Sequence, residues 1–104
     1  MGIRYEVVRK DDLVEVLEIH KVIVHQFTIS DTDDPEIYAA EPIMRWQESD
    51  SGKFVMAHSI TVPVFHKQLS YPTLGYQYAI TAELEKRKYS EFLLRFGKYG
   101  NHQS

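Results

Sequence analysis

The stretch YQYAITAELE, residues 76–85, carries the clearest secondary-structure pattern in the chain. The residues of one parity are apolar, and they are Tyr76, Tyr78, Ile80, Ala82 and Leu84. The residues between them are mostly polar. Because successive side chains of a strand point to opposite faces, this alternation predicts a half-buried antiparallel strand. The fold is therefore predicted to be built on a sheet.

Two segments near the N-terminus add further strands. Residues 3–7 alternate and predict a short strand. Residues 17–29 are rich in β-branched side chains, and one parity is apolar except at Lys21 and His25. They predict a long strand that bends near Lys21. A helix over residues 12–18 is an alternative, because its apolar positions also fit helical spacing.

The middle of the chain predicts the main helix. Asp34 is a typical N-cap residue, and Pro35 suits the first helical position because its missing N–H would be unpaired there. Glu41-Pro42 offers a second start. An apolar stripe with one polar interruption then follows at steps of three and four: Ile43, Trp46, Asp50, Phe54 and Ala57. Gly52 weakens this helix by about 1 kcal/mol relative to Ala. The alternative is a break over residues 49–52 and a strand from residue 53.

The C-terminal part predicts a meander. Residues 62–69 predict a strand with Pro63 at its start, and residues 71–75 predict a turn. Residues 85–88 predict a charged turn, and residues 92–96 predict a last strand that ends at Gly97. The predicted class is α+β: a mostly antiparallel sheet of about five strands in the order β-β-α-β-β-β, with one main helix packed on one face. We expect residues 1–97 to form a single domain and residues 98–104 to form a frayed tail.

Length and composition narrow the class of protein. A chain of 104 residues supports one hydrophobic core. The sequence contains no cysteine, which excludes disulfides, thiolate metal sites and cysteine nucleophiles. No apolar run has the length of a signal peptide core or a membrane span. We therefore expect a soluble, cytoplasmic protein that does not engage a membrane.

Four groups of core and turn residues carry a resemblance that covers roughly residues 27–97. They are Asp33-Asp34-Pro35-x-Ile37-Tyr38-x-Ala40, Trp46-x-x-Ser49-x-x-Gly52-x-Phe54-Val55-Met56-x-His58-Ser59, Gly75-Tyr76-x-Tyr78-x-Ile80-x-Ala82 and Phe92-x-Leu94-x-Phe96-Gly97. Together they resemble a family of small uncharacterised proteins predicted in tailed-phage genomes. The resemblance includes no catalytic signature. It implies a phage source, with the host cytoplasm as the location, and no particular activity.

Five histidines raise the question of a metal site. His20 and His25 are five residues apart, so on one regular strand they point to opposite faces and cannot chelate together. A metal site built from His25, His58 and His66 would require the fold to bring these three residues together. The acidic loop that begins at residue 31 lacks the Gly and Glu that an EF-hand needs at its sixth and twelfth positions. The sequence therefore predicts no metal and no cofactor.

Enzyme chemistry has little support in the sequence. The chain contains no glycine-rich phosphate loop, nucleophile elbow or HExxH motif. His25 and Lys21 interrupt an apolar face, where burial would shift their pKa values. They define one candidate pocket, and with it the alternative of a small-ligand domain or an enzyme. We assign no catalytic residue.

A nucleic-acid interface is a second alternative. Single-strand binders combine cationic grooves with aromatic stacking platforms, often on a bent Sm-like or OB-like sheet. The C-terminal half offers such a set of candidate contacts, which are Lys86, Arg87, Lys88, Tyr89 and Arg95. The overall pI of about 5.9 argues against a basic footprint.

The leading hypothesis is a non-enzymatic binding or assembly protein that forms homo-oligomers. Residues 1–52 carry five basic and twelve acidic residues, a balance of −7. Residues 53–104 carry seven basic and three acidic residues, a balance of +4. Opposed charges favour self-association, and the twelve Phe and Tyr residues suit an interface because they bury large areas at low entropy cost.

Overall fold

A computed structural model of the chain describes residues 2–30, 32–70 and 75–97. The elements in this part of the chain are β1 (Gly2–Lys10), β2 (Leu13–Ile29), α1 (Pro35–Glu48), α2 (Asp50–His58), β3 (Val64–Ser70), β4 (Gly75–Glu85) and α3 (Lys86–Phe96). The strands form one antiparallel sheet in the order β1-β2-β4-β3. The predicted α+β class with an antiparallel sheet is confirmed.

The predicted count of about five strands and one main helix is wrong, because the described residues form four strands and three helices. The largest error lies at residues 92–96, which are part of α3 and not a last strand. Phe92, Leu94 and Phe96 alternate like a strand, yet Leu94 is 88% exposed. The residues that contact the core are Tyr89, Phe92 and Phe96, which follow helical spacing.

The predicted main helix is two helices that meet at Ser49, and the first begins at Pro35 with Pro42 in its interior. The Ser49 hydroxyl donates to the Trp46 carbonyl oxygen at 2.6 Å and accepts from the Gly52 N–H at 3.1 Å. One side chain therefore ends α1 and caps α2. The alternative of a break at residues 49–52 located the interruption, but residues 53–57 are helical and not a strand.

Gly52 lies in the first turn of α2, where the chain passes close to the end of α1. A Cβ atom on Gly52 would lie 1.7 Å from the Trp46 carbonyl oxygen and 2.9 Å from the Gln47 Cα atom. These neighbours are backbone atoms, so they cannot rotate away. Only glycine therefore allows α1 and α2 to join at this angle.

The sheet has two faces, which the strand register defines. The helix face carries the even-numbered residues of β4, including Ile80, Ala82 and Leu84 in the core. The open face carries the odd-numbered residues, including Thr81 and Glu83.

A register shift in β2 changes which residues reach the helix face. Up to Ile23, odd residues of β2 pair with odd residues of β4. The pairing then shifts, and His25 pairs with Ile80. The extra residue, Val24, is fully buried in the core. This β-bulge turns the odd residues that follow, including Phe27, onto the helix face.

The main core lies between the helix face and the three helices. Its members come from β2, β4 and all three helices, and they are Val22, Val24, Trp46, Phe54, Val55, Ile80, Ala82, Leu84 and Phe92. The turn predicted at residues 71–75 lies mostly, and the tail predicted at residues 98–104 entirely, outside the described residues. Among the described helices, none is both long and apolar enough to cross a membrane.

We expect Gly52→Ala to lower the free energy of unfolding by about 2 kcal/mol or more, because the new methyl group clashes with fixed backbone. Helix propensity alone predicts the opposite sign, a gain of about 1 kcal/mol. Urea unfolding followed by circular dichroism measures the difference.

Gly2→Ala is the matched control for this substitution, since a Cβ atom on Gly2 would meet nothing within 4 Å. We expect it to change the free energy of unfolding by no more than about 0.5 kcal/mol. A Gly52→Ala variant as stable as the parent protein would contradict the role given to the close approach.

Candidate interaction surface

The β1–β2 hairpin extends beyond the rest of the sheet. β4 ends at Glu85, opposite Ile19 of β2, so in the described part of the chain the earlier residues of β2 pair with β1 alone. We call residues 5–10 and 13–18 the arm. The molecule measures 55 Å along its longest axis against 22 and 21 Å along the others. An isolated two-stranded hairpin is marginally stable in water, so a free arm gains stability when something covers it.

Apolar side chains on the arm are exposed to solvent. Val7 and Val16 lie directly opposite each other on the helix-face side and are 66% and 61% exposed. Further large exposed apolar side chains on β1 and the start of β2 are Ile3, Tyr5, Leu13 and Val14. Exposed apolar residues scattered singly are normal, but such a cluster on one hairpin is typical of an interaction site.

The outer edge of β1 has no strand beside it among the described residues. In an antiparallel strand, alternate residues point their N–H and C=O groups to opposite edges, so half of these groups on β1 face outward. Natural edge strands are protected by charged side chains, proline, bulges or short length. β1 has nine residues, contains no proline and pairs with β2 in unbroken register, so of these features it has the charged side chains alone, at Arg4, Glu6, Arg9 and Lys10.

Ion pairs join β1 to the sheet on the open face. Arg4 contacts Glu6 at 2.7 Å and Glu83 of β4 at 3.1 Å, across the intervening strand β2. Thr61 also donates a hydrogen bond to Glu83. The Arg4 guanidinium is the main reason that the pKa of Glu83 is lowered, despite the opposing effect of burial. The base of the arm is therefore held in a defined orientation.

The residues predicted as nucleic-acid contacts all lie on α3, and not on a bent sheet. Lys86 and Arg87 are exposed. Lys88 and Arg95 form ion pairs with Glu91 at 3.6 and 3.5 Å. The Arg95 guanidinium also lies over the rings of Phe54 and Phe96. Tyr89 is half-buried and contacts His20, with 5.0 Å between ring centroids.

The two residues of the predicted pocket lie on opposite faces of the sheet. Lys21 precedes the β-bulge and is exposed on the open face, opposite Glu83. His25 follows the bulge and lies on the helix face, with its ring centroid 6.0 Å from those of Trp46 and Phe27. The bulge therefore separates two residues whose parity had placed them together.

The same bulge overturns the prediction that His20 and His25 point to opposite faces, because both lie on the helix face. His58 contacts Phe54, and His66 bonds to Thr81 on the open face. The described residues contain no group of three His, Asp or Glu side chains able to hold a metal ion.

Three buried polar atoms, on β2, α1 and β4, could not be predicted from the sequence. Within the described part of the chain, no hydrogen-bond partner is found for His25 Nδ1, Trp46 Nε1 or the Tyr78 hydroxyl. Burial lowers the pKa of His25 and raises the pKa of Tyr78. Trp46 and Tyr78 had been assigned to apolar faces, and their polar atoms gave no separate signal. An unpaired buried polar atom costs about 1–3 kcal/mol.

The comparison with known proteins gives no information on function. No protein-family model, no curated protein and no solved structure matches this chain. The functional assignment therefore depends on the exposed arm, the edge of β1 and the charges around them.

We expect protein stability to fall as the pH drops below about 6.5, because folding favours neutral His25. The pKa of His25 is lower in the folded than in the unfolded protein, so its contribution is complete above the unfolded pKa. It is lost as the pH falls towards the folded pKa. Carboxylates titrate at lower pH.

The His25→Phe variant tests this expectation, since phenylalanine keeps an aromatic ring at this position and has no titratable group. Its melting temperature should depend less on pH between about 5 and 7 than that of the parent protein. Identical pH profiles for the two proteins would show that His25 does not cause the acid sensitivity.

Proposed function

We propose that the protein is a non-enzymatic binding or assembly protein that associates with copies of itself through the arm. The observation that carries this proposal is the exposure of Val7 and Val16 beside a strand edge that is unpaired within the residues the structure describes. Edge strands recruit further strands through main-chain hydrogen bonds, and neighbouring side chains then provide specificity.

The energetics of burial support association at the arm. Covering a fully exposed Val, Leu or Ile side chain contributes about 1.5–3 kcal/mol, and the arm exposes several such residues. Association must offset lost translational and rotational freedom, so a single exposed valine would not suffice. The cluster on one hairpin, repeated on each copy, provides a larger apolar area.

An apolar arm and opposed charges predict different responses to salt. The Debye length is about 10 Å at 0.1 M salt and about 3 Å at 1 M, so a contact between the acidic and basic halves would weaken as salt rises. Contacts between apolar side chains would persist. We propose that the apolar side chains of the arm form the main contact, and that charged side chains align the two copies.

The resemblance of residues 27–97 to tailed-phage proteins supports a further proposal about the source of the protein. A phage-encoded protein of this kind would act in the host cytoplasm. Self-association would then form the working unit of the protein from copies of one small chain.

We expect the parent protein to be oligomeric in light scattering on a sizing column, at both low and high salt. The double variant Val7→Lys/Val16→Lys should be monomeric, because it places charges in the proposed apolar contact. Both sites are exposed, so each substitution should change the free energy of unfolding by no more than about 1 kcal/mol.

The control for the arm substitutions is Val62→Lys, because Val62 is 81% exposed and lies outside the arm. It should leave the oligomer unchanged. A parent protein that is monomeric at both salt concentrations would contradict the proposed function, and loss of the oligomer in the control would contradict the assignment to the arm.

Nucleic-acid binding through α3 remains the second candidate, with one observation in its favour. Lys86 and Arg87 are exposed at the start of α3, and no ion pair is found for either among the described residues. Cations at a helix N-terminus are unfavourable because the helix dipole is positive there. A bound polyanion would offset that cost.

If α3 binds nucleic acid, the parent protein should bind a single-stranded oligonucleotide with an affinity that falls steeply with salt. The triple variant Lys86→Ala/Arg87→Ala/Lys88→Ala should lose this binding in fluorescence anisotropy. Lys53→Ala, at an exposed lysine on α2, is the control. Retained affinity in the triple variant would exclude this interface.

A further inference from the structure

We propose that the edge of β1 pairs with β1 of a second copy, antiparallel, about a two-fold axis that passes midway between the two Tyr5 residues. The inference rests on the proposed self-association and goes further, because it names the strand, its direction and its register. Three features of β1 lead to it: the unpaired edge, the order of its charges and the position of its apolar residues.

Symmetry limits the registers that two copies of one edge strand can adopt. A two-fold axis perpendicular to a continuous antiparallel sheet maps each face onto itself. Residues of β1 therefore pair only with residues of the same parity, and each register is centred on one residue. The choice of register is the choice of that residue.

A centre at Tyr5 opposes unlike charges on the open face. Arg4 of each copy then lies opposite Glu6 of the other copy. Arg4 already contacts Glu6 of its own chain at 2.7 Å, so the two copies would complete a ring of four alternating charges. Opposite charges directly across a strand pair stabilise it, whereas like charges destabilise it.

The same register brings apolar side chains together on the opposite face. Tyr5 lies opposite Tyr5 of the second copy, and Ile3 of each copy lies opposite Val7 of the other. All three residues are more than half exposed in the single chain. Cross-strand aromatic and β-branched pairs are among those that stabilise sheets most. Pairing extends over residues 2–8, most of the strand.

Neighbouring registers bring like charges together. A centre at Arg4 opposes the two Arg4 side chains, and a centre at Glu6 opposes the two Glu6 side chains. A centre at Val7 places Arg4 of each copy opposite Lys10 of the other. Centres closer to the N-terminal end of β1 leave most of the strand unpaired.

The strongest competing register is centred at Val8. It opposes Glu6 to Lys10, which is favourable, but it pairs only residues 6–10. It also places Val7 opposite Arg9, so the apolar face is interrupted. The Tyr5 register satisfies the charges and the apolar residues together.

Disulfide trapping tests the register directly, because the natural chain contains no cysteine. Residues opposite each other in an antiparallel pair have Cα atoms about 4.5–5.5 Å apart, within the range of about 4.4–6.8 Å that a disulfide spans. Tyr5→Cys should therefore form covalent dimers on mild oxidation. Val8→Cys, which reports the competing register, should not.

A second pair of variants keeps Tyr5 in place. Ile3→Cys and Val7→Cys should each give few covalent dimers alone, because each cysteine faces a different residue of the other copy. A mixture of the two should give covalent heterodimers. Val62→Cys, exposed and outside β1, is the background control and should give few dimers.

The outcomes separate the register from the proposed function. One outcome is that light scattering shows oligomers and Val8→Cys traps covalent dimers, while Tyr5→Cys and the mixture trap none. This result would overturn the Tyr5 register and leave self-association intact. Oligomers with no trapping at any of these positions would overturn pairing through β1. A parent protein that is monomeric throughout would overturn both proposals.

Discussion

The pairing of β2 with β4, with its register shift after Ile23, is the constraint on which the rest of the structure depends. β2 is long enough to pair with β1 at one end and with β4 at the other. The bulge lets both His20 and His25 reach the helix face and buries Val24 between them. Without the shift, the odd residues His25 and Phe27 would lie on the open face, and His25 would lose its contact with Trp46 of α1.

The difference in length between β2 and β4 creates the arm. A strand is covered only where a neighbouring strand or helix reaches it, and β4 ends opposite Ile19. Among the described residues, β1 is the one strand that pairs with the earlier part of β2, so apolar side chains that alternate as in a buried strand face solvent instead. The Arg4–Glu83 ion pair holds the base of this hairpin against the sheet. The ion-paired base and the edge of β1, which has no strand beside it among the described residues, are the features on which the proposed pairing between copies depends.

The helical part of the fold was predicted unevenly, for reasons that lie in particular residues. Asp34-Pro35 indicated the start of α1, and Pro35 is its first residue, although the Asp34 side chain makes no capping hydrogen bond. Residues 92–96 satisfied strand and helix periodicities at once, and only the contact of Tyr89 with His20 and of Phe92 with the core distinguishes them. Ser49 could be identified as a break, but not as one residue that ends α1 and caps α2.

Local chemistry by itself determined the strand tendency of β1, β2 and β4, the start of α1 and the absence of any cysteine-based site, because these depend on periodicity, backbone preference and composition. The tertiary structure alone decided which apolar faces are covered. Periodicity divides a strand into two faces, but whether either meets a neighbour depends on where distant strands end. The separation of Lys21 from His25, the close approach at Gly52 and the exposure of Val7 all follow from contacts between segments far apart in the chain.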